Sequence, residues 1–462
     1  MNKSRNRKMI IVLIAMIIML LIVALYMVYF QLFKRRLYAN HVYNARNWVD
    51  ENKILRGTIR DRDGNILTYT QRDQDGNSYR INNYNYMYSS IIGYNSDQYG
   101  KSGIEQRFNR ELLDIPIDVD FLTKLEDIYK KNDRGKDVFL TIDTQIQSYM
   151  YDLLGGYRGA IVVIDPSNGD ILSMVSKPTF NVNSIDDDWN MLINSEDSLL
   201  LNRASQGLYT PGSTFKVISA ISLLNKGVDL DYVDKGSTSI DGYKISNLFG
   251  REFGEISLRE ALIYSSNTYF SDKSLLLDNA DFLRVTDSFY LGKDYDFDLP
   301  RSLAKIPFNR NLNSLDKAVT AFGQGKTLVT PMDMASVAAA IANKGELMKP
   351  RLVYKTLKDD KAFEIPPIKL STAVADDIND KMVEYLTDTA SQNGMSLWDG
   401  TRIAGKSGTA ETVNTTNLWY IGFGPSESPR YAMAIILEDT GIEYGHAASE
   451  LFRQAMQFLI NR

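Results

Sequence analysis

Apolar positions are most concentrated near the N-terminus. Residues 9–30 have the sequence MIIVLIAMIIMLLIVALYMVYF and contain no charged side chain. As an α-helix, these 22 residues extend about 33 Å, which is enough to cross a hydrocarbon core of about 30 Å. A cleaved signal peptide has a shorter apolar region and small residues at its cleavage site, whereas bulky Leu32 and Phe33 follow here. The pattern therefore predicts an uncleaved transmembrane helix over residues 9–30.

Basic residues flank this segment on both sides. Lys3, Arg5, Arg7 and Lys8 lie in the tail of residues 1–8, which favours a cytoplasmic N-terminus. Basic residues also occupy positions 34–36, and they weaken that orientation signal. The tail is too short to fold as a domain, so we expect the functional part to follow the membrane segment, on the outer side of the membrane.

Beyond the membrane segment the hydrophobic pattern changes at about residue 135. Residues 31–135 are polar, rich in Tyr, Asn and Asp, and broken by Asp-Gly pairs, which predicts a small β-rich pedestal domain. Residues 136–462 predict an α+β domain in which helices pack on one mixed sheet with a central antiparallel part. Its predicted strands are 138–143, 159–165, 170–175, 418–423 and 431–437, and its predicted helices are 212–226, 331–343 and 447–461.

Composition restricts the chemistry available to this chain. The chain has 462 residues, of which 44% are apolar and 24% are charged, as in an ordinary folded protein. Its net charge of −5 gives no bulk attraction to nucleic acid. There is no Cys, and only His41 and His446 are present, so disulfides, Cys nucleophiles, zinc sites and a Ser-His-Asp triad are not expected. A catalytic serine in this chain would need a base other than histidine.

Lysine is the obvious alternative base, and Ser-x-x-Lys on a helix places both side chains on one face. The spacing occurs at Ser213–Lys216, Ser302–Lys305 and Ser314–Lys317. The second lies between two prolines and predicts a loop, while the third lies in a polar stretch. Ser213 follows the turn sequence Thr-Pro-Gly and begins an apolar helix, where the helix dipole favours negative charge and burial would lower the pKa of Lys216. Ser213 is therefore the preferred nucleophile, although a capping serine beside a surface lysine has the same pattern.

Two further motifs follow in the chain. Ser265-Ser266-Asn267 offers a hydroxyl for proton relay and an amide that could hold a substrate or Lys216. Lys406-Ser407-Gly408 lies in a predicted late strand, where Lys406 could attract a carboxylate and Gly408 could allow close approach of a ligand. Similar short patterns occur at residues 391–393 and 101–103, in a predicted loop and in the pedestal. Each motif alone is weak, but the order and spacing of the three are specific.

Together these motifs resemble the penicillin-recognising serine acyltransferases. The sequence is most similar to the class B penicillin-binding proteins. RGTIRDRDG at residues 56–64 resembles their signature after the membrane anchor, GQG at 323–325 with Thr330-Pro331 resembles a second segment, and WYIGF at 419–423 resembles the strand after Lys-Ser-Gly. The resemblance extends from about residue 50 to 440 and implies a transpeptidase domain of the penicillin-binding and serine β-lactamase fold.

The resemblance implies roles for these residues in D,D-transpeptidation of peptidoglycan stem peptides. Ser213 would attack the D-Ala-D-Ala carbonyl and Lys216 would accept its proton. Ser265 and Asn267 would relay protons and position the substrate.

The resemblance also implies a binding side for the substrate. Lys406 and Ser407 would bind the terminal carboxylate, with Gly408 and Thr409 beside it. The backbone N–H groups of Ser213 and Thr409 would form an oxyanion hole.

The same resemblance implies partners and leaves alternatives open. β-Lactams would acylate Ser213, no metal or cofactor is implied, and a membrane glycan polymerase of the SEDS type would act with the anchor and pedestal. The alternatives are a catalytically silent scaffold for such a polymerase, a D,D-carboxypeptidase, and a β-lactam sensor or β-lactamase with the same motifs.

Overall fold

In the computed structural model, the described residues are 3–30, 54–74, 76–114, 134–309, 312–411, 415–440 and 446–462, and the structural statements below concern these residues. The predicted pedestal segments 31–53 and 115–133 lie outside them. The chain divides into two units, Met1–Lys53 and Ile54–Arg462.

The first unit contains one long helix, Lys3–Tyr29. Its segment Ile10–Tyr29 is long and apolar enough to cross a membrane. The apolar side chains of this segment are exposed, from Ile10 onward, as a lipid environment allows. The predicted apolar helix is confirmed, and it begins earlier than predicted, within the basic tail.

A five-stranded antiparallel sheet forms the centre of the second unit. Alternate residues of its strands face two separate hydrophobic clusters, because successive side chains of a strand point to opposite faces. Leu418 and Tyr420 face one cluster with helix Ala447–Ile460, while Trp419 and Ile421 face the other with helix Pro331–Ala342. The predicted central antiparallel sheet is confirmed. Its strands, in spatial order, are Ala404–Glu411, Thr416–Gly424, Tyr431–Thr440, Gly159–Ile164 and Ile171–Lys177.

A second sheet of six strands joins the predicted pedestal to later parts of the chain. Ile59–Arg60 pairs in parallel with Asp137–Leu140, which pairs in turn with Val353–Lys358. The sheet therefore crosses the predicted boundary at residue 135. Its spatial order is Lys361–Glu364, Val353–Lys358, Asp137–Leu140, Ile59–Arg60, Ile66–Arg72 and Ser78–Asn82.

A buried ion cluster explains the Arg at the start of the RGTIRDRDG segment. Glu105 is 1% exposed and accepts from Arg56 Nε at 2.5 Å and Arg80 Nε at 2.7 Å. Burial would raise the pKa of Glu105, but the two guanidinium groups outweigh it and hold the pKa below its usual value. Arg56 and Glu105 belong to segments about 50 residues apart, so the cluster joins two parts of the predicted pedestal.

The remaining elements surround these two sheets. The α-helices are Ser89–Ile92, Gly103–Arg107, Asn109–Leu112, Thr144–Leu153, Ile185–Asn194, Arg203–Gln206, Lys216–Lys226, Leu258–Ile263, Asn267–Ser274, Asn279–Ser288, Ser314–Ala321 and Asp376–Gln392. The 3₁₀ turns are Val182–Ser184, Gly212–Phe215, Leu248–Gly250 and Pro307–Asn309. The strands outside the two sheets are Asn95–Ser96, Gly100–Lys101, Tyr232–Asp234, Ser237–Ile240, Tyr243–Ser246, Gly254–Ile256, Glu346–Met348 and Lys369–Thr372.

Candidate active site

Ser213 lies in a tight turn that leads directly into a buried helix. The 3₁₀ turn Gly212–Phe215 continues as helix Lys216–Lys226. Side chains three residues apart eclipse in 3₁₀ geometry, so Ser213 and Lys216 share one side. We call residues 211–216 the Ser213 turn. The helix was predicted from residue 212, and the first turn differs only in being 3₁₀.

The Lys216 ammonium lies among the residues of the Ser-x-Asn motif. Its Nζ donates to Ser265 O at 2.7 Å, Ser265 Oγ at 3.1 Å and Asn267 Oδ1 at 2.8 Å. An ammonium group has three N–H donors, so these three acceptors occupy all of them. Within the described chain no hydrogen bond joins Lys216 to Ser213. The Ser-x-Asn motif therefore holds the Lys216 amine on the same side as Ser213 without a bond between the two residues.

Lys406 completes the convergence of the three motifs. Its Nζ donates to Ser265 Oγ at 3.1 Å and to Ser407 O at 3.0 Å. Ser265 Oγ therefore contacts the amines of both Lys216 and Lys406. Ser265 adopts a left-handed backbone conformation with φ of 55°, which costs a non-glycine residue about 1–2 kcal/mol. Such conformations persist where the surrounding structure holds them, often at functional sites.

Burial lowers the pKa of both lysines. Lys216 is 0% exposed and Lys406 is 2% exposed. Burial lowers the pKa of Lys216 well below its ordinary value, and the nearby charge of Lys406 lowers it further. Burial also lowers the pKa of Lys406, to about 7. A lowered pKa favours the neutral form of Lys216, which is the form that a general base requires.

The Lys-Ser-Gly strand forms the edge of the five-stranded sheet. Ser407 and Thr409 are exposed, whereas Lys406 and Gly408 are buried. The carbonyl of Thr409 points away from the neighbouring strand, because Gln324 Nε2 lies 3.5 Å from it. In an antiparallel ladder the N–H and C=O of one residue point to the same side. The N–H of Thr409 therefore also faces outward, on the side of the Ser213 turn.

Three glycines allow the strand, the Ser213 turn and the GQG segment to approach one another. A Cβ on Gly408 would lie 2.9 Å from Thr214 Cγ2 and 3.0 Å from Pro211 O. A Cβ on Gly323 would lie 1.8 Å from Gly212 O, and Gly212 N donates to Gly323 O at 2.9 Å. The sequence interpretation assigned the space at Gly408 to a ligand. The structure differs, because the Ser213 turn fills that space.

Sequence reasoning missed a group of residues that contacts the chain just before the Ser213 turn. Trp419 Nε1 donates to Thr210 O at 3.0 Å, and the ring of Tyr209 packs edge-on against Trp419. The Tyr209 hydroxyl donates to Glu438, which also accepts from Arg203 Nε at 2.9 Å. A charged residue at the end of an apolar strand, as at Glu438, is the one signal that could have indicated this network.

The other motif copies lie elsewhere in the fold. Ser302 is in a loop, as predicted, and its Oγ donates to Gln206 O at 2.8 Å. Ser314 begins helix Ser314–Ala321, and Lys317 Nζ donates to Leu277 O at 2.8 Å. The loop predicted for residues 391–393 is wrong, because residues 391 and 392 end helix Asp376–Gln392.

Comparison with known families decides the relationship. The penicillin binding protein transpeptidase domain matches residues 159–457, which is more than half of the chain. The penicillin binding protein A dimerisation domain matches residues 56–138. The chain belongs to the class B penicillin-binding proteins. The three motifs and the GQG segment described above lie inside the transpeptidase match.

Individual relatives resemble this penicillin-binding protein over most of its length. It is 30% identical over 431 residues to the peptidoglycan D,D-transpeptidase PbpA of Mycolicibacterium smegmatis, covering 86% of this chain and 87% of the relative. The imipenem acyl-enzyme structure of penicillin-binding protein A from M. tuberculosis has a TM-score of 0.82 and 26% identity, covering 89% and 99%. The D,D-transpeptidase domain of a peptidoglycan glycosyltransferase from Eggerthella lenta has a TM-score of 0.80 and 28% identity, covering 88% and 99%.

Proposed function

We propose that this penicillin-binding protein is a peptidoglycan D,D-transpeptidase that cross-links stem peptides through an acyl-enzyme on Ser213. One observation carries the assignment of residues: the amines of Lys216 and Lys406 both contact Ser265 Oγ at 3.1 Å. The three motifs thus meet at a single hydroxyl. The D,D-transpeptidase relatives with similar sequence support the same reaction.

In the first step Ser213 Oγ attacks the carbonyl between the two D-Ala residues of the donor peptide. Neutral Lys216 takes the serine proton as the Oγ–C bond forms. Its two remaining N–H groups keep Ser265 O and Asn267 Oδ1 as acceptors, so its lone pair is free for that proton. The C–N bond then breaks, and the terminal D-Ala leaves with a proton passed from Lys216 through Ser265. The product is an ester on Ser213.

In the second step an amine of a neighbouring stem peptide attacks the ester carbonyl. The new C–N bond forms, the C–Oγ bond breaks, and Ser213 recovers its proton. Lys216 again accepts and returns the proton, now from the attacking amine. The same groups therefore serve both half-reactions, as general acid–base catalysis requires.

Charge stabilisation in this proposal comes from the strand edge and the Ser213 turn. The N–H groups of Ser213 and Thr409 would donate to the oxyanion of the tetrahedral intermediate, and one such donor contributes about 3–4 kcal/mol in a serine protease. Lys406 and Ser407 would bind the terminal carboxylate of the donor. Gly408 contributes by allowing the strand to approach the turn.

We also propose the wider setting of this site. The apolar helix anchors the protein in the membrane, and the N-terminus is cytoplasmic, so that the catalytic domain lies outside. The chain is divided into tail 1–8, membrane helix 9–30, pedestal 31–135 and transpeptidase domain 136–462. β-Lactams acylate Ser213, as the acyl-enzyme complex of the M. tuberculosis relative suggests. A SEDS-type glycan polymerase is the expected membrane partner.

Intact-mass spectrometry tests the nucleophile. The full chain in detergent is incubated with a labelled penicillin, beside its Ser213→Ala and Lys216→Ala variants. One adduct on the wild type, none on Ser213→Ala and far slower acylation of Lys216→Ala are expected. Ser302→Ala and Ser314→Ala are matched controls and should acylate normally. An adduct that persists in Ser213→Ala would refute the assignment, and a wild type without any adduct would favour the silent scaffold.

A second assay distinguishes transpeptidation from carboxypeptidase and β-lactamase activity. The protein is given a peptidyl-D-Ala-D-Ala donor together with a labelled D-amino acid as acceptor. Incorporation of the label into the donor peptide is expected. Hydrolysis alone would instead assign a D,D-carboxypeptidase, and steady hydrolysis of the penicillin would assign a β-lactamase.

A further inference from the structure

A buried carboxylate lies beneath the Ser-x-Asn motif. Asp234 ends strand Tyr232–Asp234 and is 1% exposed. Its two oxygens accept from Gly236 N at 2.8 Å, Asn247 Nδ2 at 2.8 and 3.0 Å, Ser266 Oγ at 2.5 Å and Thr268 Oγ1 at 2.9 Å. Within the described residues no cation pairs with it. A buried carboxylate without a cation is costly unless its oxygens are fully hydrogen-bonded, and here four donor groups satisfy it.

Asn247 extends this network to the residues that contact Lys216. Its Oδ1 accepts from Asn267 N at 2.8 Å and Thr268 N at 3.1 Å. The neighbouring Ser246 O accepts from Asn267 Nδ2 at 3.1 Å. That contact fixes which end of the Asn267 amide faces Lys216, so Oδ1 is left to accept from its Nζ.

The network also holds a strained residue. Ser265 has φ of 55°, and the next residue, Ser266, is attached to Asp234. Ser266 caps helix Asn267–Ser274, because its Oγ accepts from Tyr269 N at 3.0 Å. The backbone on the C-terminal side of Ser265 is therefore constrained by several contacts, as a strained conformation needs if it is to persist.

We propose that Asp234 and Asn247 are positioning residues for acylation, which hold Ser265 and Asn267 against Lys216. The inference rests on the proposed function. It adds a role for two small antiparallel sheets between the Ser-x-x-Lys and Ser-x-Asn motifs, which pair Tyr232–Asp234 with Gly254–Ile256 and Ser237–Ile240 with Tyr243–Ser246. Asp234 ends a strand of the first sheet and Asn247 follows a strand of the second, so these sheets place both residues against residues 265–268. Neither residue touches the substrate in this proposal.

The test exchanges the two side chains. Asp234→Asn and Asn247→Asp are prepared singly and together in the full chain, and stopped-flow acylation by a fluorescent penicillin is separated into binding affinity and limiting rate. Each single change breaks the donor–acceptor match between the side chains at positions 234 and 247. We expect the limiting acylation rate to fall by up to about 100-fold, which is the effect of a displacement near 1 Å. Affinity should change much less.

The double variant should regain a substantial part of the limiting rate. The amide introduced at position 234 would donate to the carboxylate introduced at position 247, and the hydroxyls of Ser266 and Thr268 already lie 3.4 and 3.3 Å from the side-chain oxygen at position 247. Recovery should be partial, because Arg251 O loses the donor that Asn247 Nδ2 supplies at 2.9 Å. A double variant no faster than the slower single variant would contradict a matched pair.

Two further variants separate positioning from general stability. Asp298 is a half-buried carboxylate outside the site, and it accepts from Leu352 N and Val353 N at 2.7 and 3.0 Å. Asp298→Asn should lower the melting temperature and leave the limiting acylation rate unchanged. If the exchanged variants do not fold, Thr268→Val removes a single donor to Asp234 and should slow acylation several-fold.

The outcomes distinguish this inference from the proposed function. A wild-type protein that forms no adduct would refute the proposed function itself. A wild type that acylates, with folded Asp234→Asn and Thr268→Val variants that acylate equally fast, would refute only the positioning role. A loss of rate in Asp298→Asn as large as that in Asp234→Asn would refute it as well.

Discussion

Replacing Gly408 by alanine tests how closely the Lys-Ser-Gly strand must approach the Ser213 turn. The added Cβ would lie 2.9 Å from Thr214 Cγ2, about 0.5 Å inside the 3.4 Å at which ordinary contact begins. Thr214 has little freedom to move away, since its hydroxyl donates to Pro211 O at 2.7 Å and the residue is buried. The turn and the strand must therefore separate by a few tenths of an ångström.

The expected cost follows from that displacement. Adding a methyl group to a closely packed region typically costs about 1–3 kcal/mol of stability. A misplacement of 1 Å can reduce a rate about 100-fold, so half that displacement is expected to reduce acylation about 10-fold. The loss should fall on the limiting rate, because Ser213 moves relative to Lys216 and to the N–H of Thr409.

The assay is stopped-flow acylation of the folded full chain by a fluorescent penicillin, with melting temperatures measured in parallel. Gly156→Ala is the matched control, since nothing lies within 4 Å of the position that its added methyl group would take. It should change neither quantity. A folded Gly408→Ala protein that acylates at the wild-type rate would refute the argument that this approach sets the geometry.

Three other predictions follow from charge and position. The acylation rate should rise with pH as Lys216 loses its proton. Lys406→Ala should move this rise to higher pH, because loss of the neighbouring charge raises the pKa of Lys216. A shift of the measured pH profile to lower pH would contradict this. Glu105→Gln should lower the free energy of unfolding in denaturant by about 3–5 kcal/mol, because two buried guanidinium groups lose their charged partner. The control Glu346→Gln, in an exposed pair with Lys369, should cost less than about 1 kcal/mol. Equal losses of stability would argue against the buried cluster. Lys317→Ala should acylate normally by intact mass, and loss of the adduct would contradict the choice of Ser213–Lys216.

The sequence predicted the elements of the central domain well, because their signals are local. Apolar runs such as residues 159–165 and 431–437 contain few polar residues, and the observed strands Gly159–Ile164 and Tyr431–Thr440 match them closely. The domain boundary at residue 135 is a different case. Ile59–Arg60 pairs with Asp137–Leu140 across that boundary, and pairing between segments so far apart leaves no local pattern in either one.

In the candidate site, too, the sequence predicted local motifs but not the contacts between distant segments. The motif residues were recognisable, yet the sequence did not reveal that Ser265 Oγ contacts two lysines or that Gly408 faces the Ser213 turn. It also gave no indication of Asp234, since one Asp in a polar stretch is ordinary. Its proposed role rests on the fold, in which four donors converge on it.

If Ser213 is the nucleophile as proposed, the resting geometry of Lys216 explains why three motifs would be needed instead of one. A lysine bonded only to Ser213 would remain an ammonium group in water and would not accept a proton. Here burial and the charge of Lys406 disfavour the ammonium form, while Ser265 O and Asn267 Oδ1 still accept from the neutral amine. Ser265 Oγ contacts both amines, and in the proposed mechanism it carries the proton from Lys216 to the departing D-Ala. In the proposed mechanism, activation of Ser213 would depend on the three motifs together, and removing any one of them should raise the barrier even where the serine itself stays in place.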